Sequence, residues 1–269
     1  MTAPLEGLVI TDGSQDSSTA SVTKALRLLD VFRHKGPVLG VSELARQAGV
    51  AKSTAFRLLA LLEEADLVER EGTGYRLSWR IFELGSTVQH RWPRGLREIA
   101  APWMTEVFVK SGHVVHLAVL EGSDVLYLEK ISGPRSPQIP TAVGGRIPAN
   151  CSSLGKVMLA YSRPEIVRQV LEGPLSRRTA YSATEPGRIA GELQRIRKAG
   201  VAMDKEEAAL GLGCVAAPIV TGVNVVAAIS IAGPVHQLDW AASAVLIREA
   251  ARRIAISLGA EAAAALGAP

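Results

Sequence analysis

The chain has 269 residues, of which 48% are hydrophobic, 21% charged and 4% aromatic, with a formal net charge of +4. That content excludes a disordered chain and allows one large core or two smaller ones, built mainly from Ala, Val, Leu and Ile. No apolar run reaches the ~18 residues that span a bilayer, no basic-then-apolar leader is visible, and Cys151 and Cys214 make no disulfide framework, so the expectation is a cytoplasmic protein with no membrane partner.

Residues 1–19 are small, polar and aperiodic and read as a flexible arm; they hold no basic residue that would bring it to DNA. A helix is predicted from Val22 to His34, capped by Ser21 and striped by Val22, Ala25, Leu26, Leu28, Leu29 and Phe32, with Gly36-Pro37 as its stop. Val38–Val41 predicts a short edge strand. Ser42 can then N-cap a helix through Leu44, Ala45 and Ala48. Gly49 supplies the left-handed residue that ends it, with Val50 buried in the turn. A second helix is predicted from Lys52 to Ala65, with Phe56, Leu59 and Leu62 or Leu61 inward. Its exposed start carries Lys52, Ser53, Thr54 and Arg57, donors of the kind that reach phosphates and base edges from a major groove.

A helix pair alone packs a core as often as it reads DNA. The residues that follow favour DNA. Leu67, Val68 and Arg70 read as a strand, Glu71-Gly72-Thr73-Gly74 as a turn, and Tyr75, Arg76 and Leu77 as the returning strand. Together residues 20–78 read as a winged helix-turn-helix whose wing would bring Thr73 and Arg76 to the DNA backbone. The pI near 9.2 permits that partner without arguing for it. Residues 79–95 read as a linker helix: Trp79, Phe82 and Leu84 point one way, the helix continues to about His90, and Trp92-Pro93-Arg94-Gly95 breaks it.

Residues 96–265 read as a second domain. Leu96–Val109 is helical, kinked or split at Pro102. Val114–Leu120 and Asp124–Ile131 form a hairpin across Gly122. Gly133–Pro140 is loop. Helices follow at Ser153–Ala160, from Pro164, and at Pro186–Lys198, the last stopped by Gly200. Strands are predicted at Val201–Met203, Cys214–Val220 and Val225–Ile231, and a closing helix at Asp239–Ala264 with Asp239 as its cap. Strands at both ends with helices between predict an α+β domain: an antiparallel sheet covered by helices.

Other patterns carry less. Ser153-Leu154-Gly155-Lys156 has the Ser-x-x-Lys spacing of acyl-transfer enzymes, but the Ser-Asp-Asn and Lys-Thr-Gly elements are missing. Gly155-Lys156 does not complete a phosphate loop, because Asn150 and Val157 replace its Gly and Ser or Thr. His113 and His116 flank Val114-Val115 at a strand start, which sends them to opposite faces and favours structural roles. Cys214 lies in an apolar strand and reads as an inert buried thiol.

Several separated motifs, in order, resemble the IclR family of bacterial transcriptional regulators. They are SVTKALRLLDVF, LARQAGVAKSTAFRLLALL, GGRIPANCSSLGKVMLA, Gly200-Val201-Ala202-Met203-Asp204 leading to GLGCVAAPI, and AAISIAGP. The resemblance spans nearly the whole chain after the arm. It implies a winged helix-turn-helix, a linker helix and a C-terminal effector domain similar to GAF and PAS sensors. It also implies double-stranded operator DNA, a small-molecule effector and a homodimer or homotetramer as partners, and a regulator rather than an enzyme, with no cofactor. By position, the effector site would take in Ser153, Leu154, Asp204, Cys214 and Ser230, with Asn150 standing where the family often has His. Free amides at a helix start suit an anion; Ser153 and Ser230 supply hydroxyls; Asp204 acts through a protonated carboxyl or by orienting amides. Leu154 stands where small residues are common, which favours an aromatic or apolar-chained acid over a two-carbon acid. The alternatives are a serine- or cysteine-dependent hydrolase and a ligand-free oligomerisation module.

Overall fold

The computed structural model describes residues 17–88, 95–134 and 136–265, without side-chain placement at 17–19, 34 and 261–265. The arm over residues 1–16, the end of the linker segment at His90 and the break at Trp92 to Arg94 lie outside the described residues. The chain divides into two compact units, up to Gln89 and from His90 onward.

In the first unit, α1 (Ser17–Lys35) begins well before Val22, so Ser21 lies inside the helix instead of capping it. Leu28, Val31 and Phe32 carry its buried face, while Val22 and Leu26 stay exposed. β1 (Leu39–Gly40) leads directly into α2 (Val41–Ala48). The N-cap of α2 is Gly40, so the predicted Ser42 cap is wrong: Ser42 sits exposed within the first turn. Gly49 ends α2 in the left-handed conformation at φ 67°, as its lack of a Cβ permits. Val50 is half-buried.

α3 (Lys52–Glu64) buries Ala55, Leu58, Leu59 and Leu62. That i, i+3, i+4, i+7 set leaves Phe56 off the inward face and 53% exposed, against the prediction that it points into the core. Its ring lies instead 5.9 Å from the guanidinium of Arg70, which also covers Tyr75 at 5.2 Å. β2 (Val68–Glu71) and β3 (Gly74–Leu77) form the wing, and β1 pairs on the other side of β3, so the sheet order is β1-β3-β2. Gly72 makes the tight turn at φ 60°. α4 (Trp79–Ser86) is capped by Ser78, whose hydroxyl accepts from the Arg80 amide at 3.2 Å. Trp79, Phe82 and Leu84 on α4 are exposed within this unit.

The second unit is built on a six-stranded antiparallel sheet. α5 (Leu96–Ser111) runs through Pro102 as one helix and is not split there. β4 (Val114–Glu121) and β5 (Asp124–Ile131) form the predicted hairpin, and β6 (Arg146–Pro148) adds an unpredicted edge strand. Then come α6 (Ser153–Tyr161), α7 (Pro164–Glu172) and α8 (Pro186–Ala199). β7 (Ala202–Lys205), β8 (Leu212–Thr221), β9 (Asn224–Pro234) and α9 (Trp240–Ala265) complete the unit. The order is β6-β5-β4-β9-β8-β7. Asp239 caps α9, accepting from the Ala242 amide at 3.0 Å.

Both faces of the sheet are covered, which is why its central strands read as continuous apolar runs. Leu117, Val215, Ile229 and Ile231 pack against Met104 of α5 and Ile247 and Ile254 of α9. The other face carries small residues, Ala118, Ala202, Ala216 and Ala228, against Val157 and Met158 of α6 and Ile189 of α8. Those alanines let α6 lie close to the sheet, and Ser153 through Ala160 are all buried. Gly155 makes a second close approach: a Cβ there would stand 2.3 Å from the Ala149 carbonyl oxygen, so only glycine lets α6 dock on the 3-10 turn at Ala149–Cys151.

Candidate nucleic-acid interface and ligand cavity

The outward face of α3 lies opposite its buried set. Lys52, Ser53 and Arg57 are exposed on it and Thr54 is half-buried. Among the described residues neither Lys52 nor Arg57 enters an ion pair. The N-cap of α3 is Ala51, with no side chain capping the opening amides. Cations and free helix-start amides together are the groups that receive phosphate oxygens. On the wing, Thr73 is exposed at the turn, whereas Arg76 is held by Glu69 at 2.6 Å and Glu71 at 3.0 Å.

The second unit encloses a cavity of about 50 Å³ between the sheet, the start of α6 and two covering segments. That is room for a few waters, well below the ~150 Å³ that takes up a benzene. Strand register builds its wall: His116 on β4 stands opposite Ser230 on β9, and Cys214 on β8 stands opposite Asp204 on β7. Ser153 and Leu154 enter from α6. The Ser153 and Ser230 hydroxyls are fully buried and neither makes a hydrogen bond of ordinary geometry. Burial pushes the Cys214 thiol up to about 12, against the nearby Ser153 and Ser230 hydroxyls. Asp204 is 2% exposed and accepts from the Glu207 amide at 2.7 Å; burial still pushes its carboxyl up to about 7.

Four further lining residues have no local sequence signal: His116, Tyr127, Thr141 and Arg178. His116 Nε2 lies 2.8 Å from the Thr141 hydroxyl, and burial, aided by the Lys130 charge, pushes the imidazole down to about 3, so it is neutral. Burial raises the Tyr127 phenol, whose ring tilts against His116 at 5.1 Å. Lys130 ties the Ile139–Thr141 strap over the cavity by donating to the carbonyls of Ile139 at 3.1 Å and Thr141 at 2.7 Å. The second cover is the loop from Glu206 to Gly211. Arg178 Nε donates to the Ala208 carbonyl at 3.0 Å, Thr179 to that of Glu206 at 2.7 Å, and Ser182 to that of Glu207 at 2.8 Å.

Asn150 is not brought to the cavity. Its amide donates to the carbonyls of Ser176 at 2.8 Å and Ala183 at 2.9 Å, a brace for the segment before α8. Cys151 donates to the same Ser176 carbonyl at 3.0 Å. His113 packs against Gly233.

The arrangement suits binding rather than reaction. Lys156 is fully buried on α6, with Nζ 2.6 Å from Glu192 and paired with Glu207. Burial alone would lower its pKa, but the two carboxylates outweigh it and leave it raised. The amine is a locked ammonium and cannot serve as the base that a Ser153 nucleophile needs. The Cys214 thiol stays protonated for the same reason of burial. Among the described residues no group of three or more His, Cys, Asp or Glu is placed to hold a metal. A wider surface groove of about 680 Å³ lies by α7 and α8, lined by residues such as Val167, Leu171 and Ala190, but no buried unpaired polar atom faces it.

No helix among the described residues is long and apolar enough to cross a membrane. Two family models match the chain: the IclR helix-turn-helix domain over residues 21–72, and the bacterial transcriptional regulator IclR C-terminal domain over residues 92–257. The HTH-type transcriptional regulator XynR of Escherichia coli K12 is 30% identical over 228 residues, covering 81% of this chain and 88% of XynR. The HTH-type transcriptional repressor AllR of the same strain is 28% identical over 249 residues, covering 89% and 90%. The crystal structure of an IclR homolog from Microbacterium hydrocarbonoxydans complexed with 4-hydroxybenzoate superposes with a TM-score of 0.76 at 29% identity, covering 89% of this chain and 99% of that one. The chain belongs to the IclR family of bacterial transcriptional regulators, with a helix-turn-helix unit followed by an effector-binding unit.

Proposed function

We propose that this regulator holds operator DNA through α3 and the wing, and that a small organic acid in the α6 cavity sets the strength of that hold. The observation that carries the effector half is the pair of buried hydroxyls of Ser153 and Ser230, both beside the Cys214 thiol but without a hydrogen bond of ordinary geometry, facing an enclosed space. An unsatisfied buried hydroxyl is costly, and a ligand that pairs with it relieves the cost. Leu154, only 2% exposed, gives the cavity an apolar wall that favours an aromatic or apolar-chained acid over a two-carbon one. The 4-hydroxybenzoate complex of the Microbacterium homolog supports an acid of that size. Leu154, Asp204 and Cys214 complete the effector contacts, while Asn150 stands outside them as the brace before α8.

On the DNA side, Lys52, Ser53, Thr54 and Arg57 enter the major groove, while Ser42, Thr73 and Arg76 approach the backbone. The exposed Val22 and Leu26 of α1 and Trp79 and Phe82 of α4 pair with a second protomer, giving a homodimer, or a homotetramer by doubling. Effector binding shifts the relative placing of the two DNA-binding units and so the fit to a two-fold operator. The setting is the cytoplasm.

The test is fluorescence anisotropy on an operator selected from random DNA by the full-length chain. Lys52→Ala with Arg57→Ala should weaken binding and reduce the slope of log affinity against log salt by about 2. An unchanged slope would reject the α3 assignment. Thermal shift against a panel of aromatic and aliphatic monocarboxylates should find at least one stabilising acid, and that acid should change the anisotropy titration.

A further inference from the structure

The outward face of α3 is not made of donors alone. Phe56 stands one turn after Lys52 and Ser53 and next to Arg57, so a large apolar ring sits among those polar side chains. The ring is 53% exposed and lies outside the core, to which α3 contributes Ala55, Leu58, Leu59 and Leu62. Alanine at this position would raise helix propensity and take nothing from that core. Folding therefore gives no reason for a phenylalanine here.

The ring is nevertheless held. Arg70 of β2 lies over it, 5.9 Å from the ring centre, and over Tyr75 of β3 at 5.2 Å. Tyr75 is buried in the core, so the guanidinium rests on a fixed ring. Arg70 Nε also donates to Glu63 of α3 at 3.3 Å. With Glu63 matching its charge, Arg70 is placed to hold the Phe56 ring rather than a phosphate. Phe56 thus has a set position while about half of its surface stays open.

The chemistry of the major groove identifies what that surface can touch. Among the base edges displayed there, thymine alone presents an apolar group, its 5-methyl, and contact with a phenylalanine is one way to read it. The ring has no hydrogen bond to offer a purine edge or the cytosine amino group. Resting on the assignment of α3 to the major groove, we propose that Phe56 is a specificity-determining residue of the operator contact, its ring reading the 5-methyl group of a thymine in each half-site. Arg70 is a positioning residue that fixes the ring through the stack and through Glu63. The charges of Lys52 and Arg57 draw in any duplex, whereas the ring discriminates between sequences.

Deoxyuridine, which pairs as thymine does but lacks the methyl group, supplies the test. Fluorescence anisotropy is run with the full-length chain on its selected operator, each thymine being replaced in turn and symmetrically in both half-sites. At one position the wild type should lose about 3- to 5-fold in affinity per half-site. A C·G pair at that position should bind weakly, and 5-methylcytosine opposite guanine should recover the same factor. Phe56→Ala should bind the thymine and deoxyuridine operators equally, with its salt slope unchanged. Phe56→Leu, apolar but smaller, should keep part of the preference. Arg70→Lys keeps the charge but not the flat stack, so it should lower the preference without moving the salt slope.

A wild type indifferent to every deoxyuridine, or a Phe56→Ala variant with the full preference, would overturn the proposal. An undiminished preference in Arg70→Lys would overturn the positioning role. Methyl indifference alongside a salt slope that does fall in the Lys52→Ala, Arg57→Ala variant would sink this proposal alone. An unchanged slope in that variant would sink the α3 assignment and this proposal with it.

Discussion

Asp204 and His116 face the same cavity and titrate in opposite senses. The Asp204 carboxyl rises from 3.8 to about 7, chiefly through burial. In the unfolded chain it ionises near its ordinary value, so between about pH 4 and 7 the folded state holds the extra proton and stability falls as pH rises. Each pH unit in that window is worth about 1.4 kcal/mol, or about 4 kcal/mol across it. His116 drops from 6.5 to about 3, through burial first and the Lys130 charge second. Its folded form stays neutral while the unfolded form protonates, so its stabilising effect is present above pH 6.5 and is lost as pH falls. From about pH 4 to 6.5 the two slopes oppose each other and nearly cancel. Asp204→Asn removes one and His116→Gln the other. Hydrogen–deuterium exchange of the β9 amides, corrected for intrinsic rates, reads the local stability between pH 4.5 and 6.5. Relative to wild type, the protection of Asp204→Asn should climb by about 1.4 kcal/mol per pH unit, and that of His116→Gln should decline by a similar amount. Profiles of both variants parallel to the wild type would refute the reasoning.

Three further outcomes follow from packing and charge. Gly155→Ala drives a methyl into the Ala149 backbone and should cost about 3 kcal/mol or more, measured by urea unfolding. Lys156→Met leaves Glu192 and Glu207 without their cation and should cost about 3–5 kcal/mol in the same assay; adding Glu192→Gln and Glu207→Gln should restore most of it. Asn150→Ala strands the Ser176 and Ala183 carbonyls and should cost about 1–3 kcal/mol, while calorimetry should find its effector affinity unchanged in the folded protein.

Local signals made most of the elements readable. Gly49, Gly200 and Asp239 mark helix ends by conformational freedom and capping, and the structure uses all three so. Phe56 misled because hydropathy ranks a phenylalanine above an alanine, whereas the inward face is set by spacing through the small Ala55; the ring finds shelter under a cation from the wing. Ser42 misled because Gly40 already provides an extended residue at the helix start. β6 is three residues ending in proline and has no periodicity to detect. In the cavity, Ser153, Asp204, Cys214 and Ser230 were recoverable by resemblance. His116 and Tyr127 arrive only through strand register, and Arg178 only through a loop that no pattern announces.

The contact at Gly155 divides the cavity into a part that yields and a part that does not. With the backbone of α6 set hard against the Ala149 carbonyl and against a sheet face of alanines, the floor has no slack in which to store a displacement. The strap hangs on two hydrogen bonds from Lys130, whereas the loop is held by Arg178, Thr179 and Ser182 and, at Glu207, by the buried Lys156 ammonium and the Asp204 carboxyl. A guest in the proposed site would therefore register its size outward, at the strap, and a change of one methylene in the guest would become a change in the protein's outer surface rather than a strain absorbed within its core.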